Sequence, residues 1–247
     1  MIKGAWRAAA IASFLACAAL FALGACSGGG GTGLPSRTTV PGEADRVVVS
    51  GEALLDGAPF DSRWVGAVVV RSGLVTPCQD SLPPVQNGHY SVTVLAETEA
   101  SGCGGRGARV VLWTYAFDMI LYSTDTVPWP ATGQAATFAP HYSTADPAGA
   151  RPVVAEFTGR VLGSDGQQLP PGTRVEAFVD NTRCGVASVR TRDTFTGYVV
   201  SVVGPDSIPG CTSGAPLTFH INGRVAAPTN AVNTPPGQHD ALDLKLA

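Results

Sequence analysis

Charge is what this chain has least of. Its 16 basic and 19 acidic residues make up only 14% of 247 positions and leave a formal net charge of −3. Nowhere do the basic residues gather into a stripe. A nucleic-acid surface needs such a stripe to neutralise phosphates, so that class of partner is excluded. Histidines are few and scattered: His89, His141, His220 and His239 have no metal-ligand spacing. No CxxC pair, HExxH, GxSxG or phosphate-binding loop occurs. Gly102-Cys103-Gly104-Gly105-Arg106-Gly107 fits GxGxxG by letter, but Val110 to Trp113 reads as a strand where a dinucleotide site must open a helix, so the segment is a loop. Glu97 and Glu99, two apart on an expected strand face, lack the Asp-rich loop of a calcium site and read as a solvated pair. The residues therefore indicate no enzyme, no cofactor and no metal.

What is there begins with the amino terminus. Residues 1–25 carry Lys3 and Arg7 ahead of a run rich in Ala, Leu and Phe, which is the pattern of a secretory leader. Leu23-Gly24-Ala25-Cys26 resembles the lipobox of bacterial lipoproteins, in which cleavage before the cysteine exposes it for acylation. That resemblance implies a membrane anchor at Cys26, because several acyl chains hold far more firmly than one. It also implies a place in the cell envelope, facing the periplasm or the exterior. Ser27 stands where an Asp tends to retain Gram-negative lipoproteins in the inner membrane, so an outer membrane is expected if the source has one. Residues 26–45, small, polar and interrupted by proline, read as a tether after the lipidated cysteine.

Self-comparison of the remainder finds one plan twice, at a period of about 107 residues. VSGEALLDGAPF (49–60) matches FTGRVLGSDGQQLPPG (157–172), and GHYSVTV (88–94) matches TGYVVSV (196–202), which aligns Tyr90 with Tyr198. Cys78 aligns with Cys184, and Gly102-Cys103 with Gly210-Cys211. Within each copy apolar residues alternate with polar ones, as in Tyr90, Val92 and Val94 or Tyr198, Val200 and Val202, which is the period of strands. Asp56-Gly57, Asn87-Gly88, Asp165-Gly166 and Asn222-Gly223 supply the positive φ of tight turns. Short strands at this density, with no long helical pattern, indicate an all-β chain of two tandem β-sandwiches, residues 46–146 and 151–247.

Each copy resembles the carboxypeptidase regulatory-like, or transthyretin-like, β-sandwich of bacterial secreted and surface proteins. GEALLDG (51–57), GRVLGSDG (159–166), the two tyrosine strands and the Gly-Cys pairs carry the resemblance. Such domains are accessory modules of prealbumin/Ig-like fold, so it implies no peptidase activity. Copy one departs in its Leu82-Pro83-Pro84 insertion and its apolar segment 110–122; copy two has one extra residue before Asp165-Gly166.

Setting aside Cys17 in the leader and Cys26, two cysteines remain per copy. In an exported chain they read as disulfides, and Cys78–Cys103 with Cys184–Cys211 is the one pairing both copies share. The segment that sets copy one apart is aromatic: Trp113, Tyr115 and Phe117 at period 2, then Tyr122 and Trp129, where copy two has the more polar LTFHINGRVAAPTN (217–230). Core packing, an inter-domain contact, or a flat platform on which sugar rings stack would each use such residues. The expected function is a noncatalytic, membrane-anchored spacer or interaction module with another envelope protein as partner. The rival expectation is a polysaccharide- or peptidoglycan-binding module using Trp113, Tyr115, Tyr122 and Trp129.

Overall fold

The computed structural model describes residues 46–130, 135–192, 194–234 and 237–247. The leader, Cys26 and the tether lie outside the described residues. Every regular element among those described is a strand, and the chain is all-β.

In the first copy, Arg46–Glu52 runs antiparallel to His89–Leu95 and parallel to Ala136–Thr137. The facing sheet orders Leu74–Pro77, Val65–Arg71, Arg109–Ala116 and Met119–Tyr122, with Val127–Pro128 alongside the start of Arg109–Ala116. The second copy repeats this plan. Val154–Gly159 lies between Phe195–Val203 and His239–Ala241, and the opposite sheet is built around Arg174–Val179, Thr182–Ser188, Pro216–Ile221 and Arg224–Ala227. Registers correspond too: Gly51 stands opposite Tyr90, and Gly159 opposite Tyr198.

The shared sequence landmarks have a common physical cause. The Tyr90 phenol donates to the Phe138 carbonyl and the Tyr198 phenol to the Leu242 carbonyl, each at 2.8 Å. Those carbonyls approach so closely that a Cβ on Gly51 or Gly159 would lie 2.0 Å from the oxygen. Any side chain there would push the last strands off their tyrosines. The turns follow their residues as well: Asp56-Gly57, Asn87-Gly88 and Asn222-Gly223 hold positive φ at both positions, whereas of Asp165-Gly166 only the glycine does. There the Asp165 carboxylate instead accepts from the Gln167 N–H at 3.0 Å. Cys78 bonds Cys103 and Cys184 bonds Cys211, with Cα atoms 5.5 and 5.6 Å apart and all four residues fully buried.

The first core lies between Val47, Val49, Val92 and Val94 on one sheet and Ala67, Val69, Leu112 and Leu121 on the other. The second core is not confined to its own copy. Val68, Val70, Val75, Val111 and Tyr122, on the opposite face of that same first-copy sheet, pack into one cluster with Phe157, Val186, Val200 and Phe219. A sheet buried on both faces reads as continuous apolar runs, and this is why Val68-Val69-Val70 and Val110-Val111-Leu112 break the expected alternation. Polar bonds stitch the same junction: Thr76 Oγ1 donates to the Val186 carbonyl at 3.3 Å, and the Ser101 N–H to Ser188 Oγ at 2.9 Å.

Two expectations need correction. Glu97 and Glu99 do not share a strand face, because the strand ends at Leu95 and both lie in the turn beyond it. Glu97 pairs with Arg71 and accepts from the Gly102 N–H, and Glu99 pairs with Arg46. Phe117 does not continue the row of Trp113 and Tyr115, since the strand ends at Ala116 and Phe117 enters the turn.

The corner tyrosines make a testable case. Burial raises both phenols above the ordinary value of 10.0, with the Asp243 carboxylate adding to the rise at Tyr198. A group whose folded pKa is raised contributes stability that is whole below the unfolded pKa and lost as pH rises past it. Urea unfolding should therefore give a midpoint that is flat up to about pH 10 and falls above it. Tyr90→Phe and Tyr198→Phe should each cost about 1 kcal/mol at neutral pH and make the alkaline fall shallower.

Candidate functional site

The four aromatic residues singled out from the sequence do not form one exposed row. Trp113 is half-buried with its indole over Gly66, where a Cβ would sit 2.3 Å from the ring, so the glycine is what lets the indole lie flat on the sheet. Tyr122, opposite Trp113 in register, is buried in the junction. The Arg151 guanidinium stands 4.0 Å from its ring centre and donates to its phenol oxygen at 2.7 Å. Arg151 also pairs with Glu156 at 3.3 Å, and Glu156 meets His239 at 3.1 Å. The connection between the copies is thus clamped by a π face, a phenol and a carboxylate. Trp129 packs on the first core over Gly104, with its indole N–H buried and unpartnered. Tyr115 alone of the four is exposed.

Tyr115 opens a different cluster, one the period-2 reading missed. Phe117 and Asp118 form the two central residues of the hairpin between Arg109–Ala116 and Met119–Tyr122, with φ of 49° and 58°. The equivalent hairpin of the second copy uses Asn222 and Gly223, at 49° and 80°. Asn and Gly take the left-handed region readily; a bulky aromatic there is an outlier, costing roughly 1–3 kcal/mol. Phe117 is 71% exposed; Tyr115 and Ile120, a register pair on one face of the hairpin, are 37% and 45% exposed, and Met119, paired with Ala116 on the other face, is 37% exposed. Trp64, 6.0 Å from Tyr115 and tilted 56° to it, extends the apolar surface, with the Arg63 guanidinium 4.7 Å from its ring centre.

The base of this tip is fixed by hydrogen bonds. Ser62 Oγ donates to the Tyr115 carbonyl at 2.8 Å, and Thr114 Oγ1 to the Trp64 carbonyl at 3.0 Å. At its apex the Tyr115 phenol reaches the Asp118 carboxylate at 3.4 Å. The only sequence signal for the cluster was the excess of apolar residues over the second copy between 113 and 122.

Elsewhere several polar groups are paired for structure. His141 meets Asp125 at 2.5 Å on the surface, and His220 stacks on Phe178 at 4.6 Å. Among the described residues no group of three or more His, Cys, Asp or Glu side chains could hold a metal ion. Burial pushes the Glu176 carboxyl up, but hydrogen bonds from Arg174 and Arg183 together with their charges hold it below the usual range.

No family model and no curated protein sequence matches the chain. Among solved structures it is similar to the Bacillus anthracis TIE protein, at 9% identity and a TM-score of 0.23, over 82% of this chain and 34% of that one. The chain thus spans about a third of that protein's length. It is also similar to the shaft pilin SpaA (10% identity, TM-score 0.21, covering 82% of this chain and 98% of that one). The SpaE basal pilin gives 10% identity and a TM-score of 0.24, over 81% of this chain and 98% of that one. Both pilins are from Lactobacillus rhamnosus GG. Likenesses this weak identify neither a family nor a partner.

Gly66→Ala should test the seating of Trp113. The added methyl forces the indole off the sheet, so stability should fall by about 1–3 kcal/mol and tryptophan emission should shift to the red. Unchanged emission would mean the ring does not lie on Gly66.

Proposed function

We propose that the chain is a noncatalytic interaction module of a bacterial cell envelope, held to a membrane through lipid on Cys26, that presents the Tyr115–Ile120 hairpin tip to another envelope protein. The observation that carries this reading is Phe117. A large apolar side chain is held in solvent at a backbone conformation that the sister turn fills with Asn222, on a base fixed by two side-chain hydrogen bonds. Strain kept at an exposed position points to use of that position, and exposed apolar clusters of this kind mark contact sites. The LGAC sequence at residues 23–26 supports the anchor.

A protein fits the tip better than a membrane or a glycan. Asp118 sits at the apex between Phe117 and Met119, and carrying a carboxylate into an acyl layer is costly. Trp64 and Tyr115 lie 56° apart in plane, so they offer no flat platform for a sugar ring. A protein surface can receive the phenylalanine in a pocket and pair the aspartate with a cation at the rim.

The test uses the full chain in its native membrane. A photo-crosslinking phenylalanine analogue at 117 should yield a discrete adduct, and the same analogue at Asn222 should not. Equal yields at the two positions, or none at 117, would overturn the reading. Replacing the turn by that of the sister copy, Phe117→Asn with Asp118→Gly, should raise stability by about 1–2 kcal/mol while abolishing partner capture. Cys26→Ser should release the chain from the membrane fraction; retention there would refute the lipid anchor.

A further inference from the structure

We propose that the cleft between the two sandwiches, walled by Arg190 and Arg192, binds an organic carboxylate bearing a short apolar substituent. The site is separate from the hairpin tip and does not rest on its role. The strand Arg190–Arg192 forms the edge of the second-copy sheet, paired only with Phe195–Val203 among the described strands. Residues two apart on a strand share a face, and both arginines line one cleft together with Pro77, Ala100, Ala187 and Phe195. Its volume is about 50 Å³, room for three to five water-sized groups at roughly 10–15 Å³ each. A carboxylate and one or two attached carbons have that size.

The two arginines differ in what they already hold. Arg190 spans the junction and donates to the carbonyls of Pro77 and Gln79. The Asp80 and Glu99 carboxylates lie near it, but both pair with Arg46. The Arg192 side chain makes no hydrogen bond or ion pair among the described residues, although burial depresses its guanidinium. Burial, and then the charge of Arg192, bring Arg190 down to about 10. Two like charges are thus held together in a partly desolvated cleft, an arrangement that an anion relieves.

A guanidinium fork matches a carboxylate with two parallel N–H bonds. Ser188 Oγ accepts from the Ser101 N–H, so its own hydroxyl proton is left to donate into the cleft. Of the other lining side chains, the Thr76 hydroxyl and the Tyr198 phenol already donate to the Val186 and Leu242 carbonyls, Ser101 adds one hydroxyl, and Pro77, Ala100, Ala187, Phe195 and Val199 are apolar, which leaves little to satisfy a polyol. This selects an acid with an aliphatic stub, whether a free short-chain acid or the terminal carboxylate of a peptide ending in a small residue.

Saturation-transfer NMR on the full chain in detergent tests the site with propionate, N-acetylalanine, N-acetylalaninamide and inorganic phosphate. Propionate, N-acetylalanine or both should receive saturation, which separates a free acid from a peptide end as the source, and the amide should receive none. Arg192→Gln should weaken the bound acid at least tenfold, and Arg192→Lys less, because the charge remains and the fork is lost. The Arg192 side chain makes no hydrogen bond or ion pair among the described residues and stands beside the like charge of Arg190, so Arg192→Gln should leave the thermal transition no lower than the parent's. Ser101→Leu, which adds bulk to a lining residue and keeps the backbone N–H, should block binding with both arginines intact. Binding of the amide as well as the acid, binding of phosphate alone, no effect of Arg192→Gln, or no bound probe would each overturn the proposal.

Discussion

Everything in this structure depends on one sheet being dry on both faces. Ala67, Val69 and Leu112 point into the first core, while Val68, Val70 and Val111, their immediate neighbours in sequence, point into the second. Each such valine is worth roughly 1.5–3 kcal/mol when water is removed from it, and only the second copy can remove water from the outer set. That need places Leu74–Pro77 across the second copy's strands, and it explains glycine at 102. There φ is +86° and a Cβ would meet Val186 at 2.5 Å and Thr76 Oγ1 at 2.6 Å. Unfolding the first sandwich would open the second core, and unfolding the second would expose the outer face of the first-copy sheet, so the pair forms one block instead of two beads on a string.

The duplication supplies its own control for what each face does. Counting back from the hairpin turns, Val111, Trp113 and Tyr115 of the first copy correspond to Pro216, Thr218 and His220 of the second. The second copy's outer face also carries Glu176, paired with both Arg174 and Arg183, beside the stack of Phe178 on His220. It is a polar, ion-paired face, and the first copy's counterpart is a junction continued into an exposed apolar tip. Fold and register are common to the two copies; the difference lies in outward-facing side chains, the positions a strand leaves free once its core side is set.

This division also explains what could be read from the sequence. The repeat, the glycine and tyrosine landmarks and the cysteine pairing are backbone constraints, and each requires a particular residue type at a particular place. The junction was not legible, because Val110-Val111-Leu112 satisfies a two-sided strand and a misregistered one-sided strand equally well. Phe117 was drawn into the aromatic row for a related reason: nothing in its chemistry announces a left-handed turn, whereas Asn222-Gly223 does. The arginine cleft was hidden differently, since Arg190 and Arg192 make no stripe with neighbours in sequence and meet Pro77 and Ala100 only across the fold.

Burial of both sheet faces also bears on how the tip can hold its strain. A phenylalanine at φ of 49° persists only if its surroundings over-determine the backbone on either side. Here Val110 and Leu112 anchor the incoming strand on one face and Trp113 on the other, and Leu121 and Tyr122 do the same for the returning strand. The Ser62 and Thr114 hydroxyls then fix the last residues before the turn. A hairpin held this way has little conformational freedom left to lose when a partner covers it. Ordering cost is a main subtraction from contact energy in binding, so a small apolar tip on a rigid base can hold a partner that a mobile loop of the same residues could not. On the proposed role the strain at Phe117 is offset by preorganisation, with Trp113 and Tyr122 braced by the second sandwich and the other anchors by the first core.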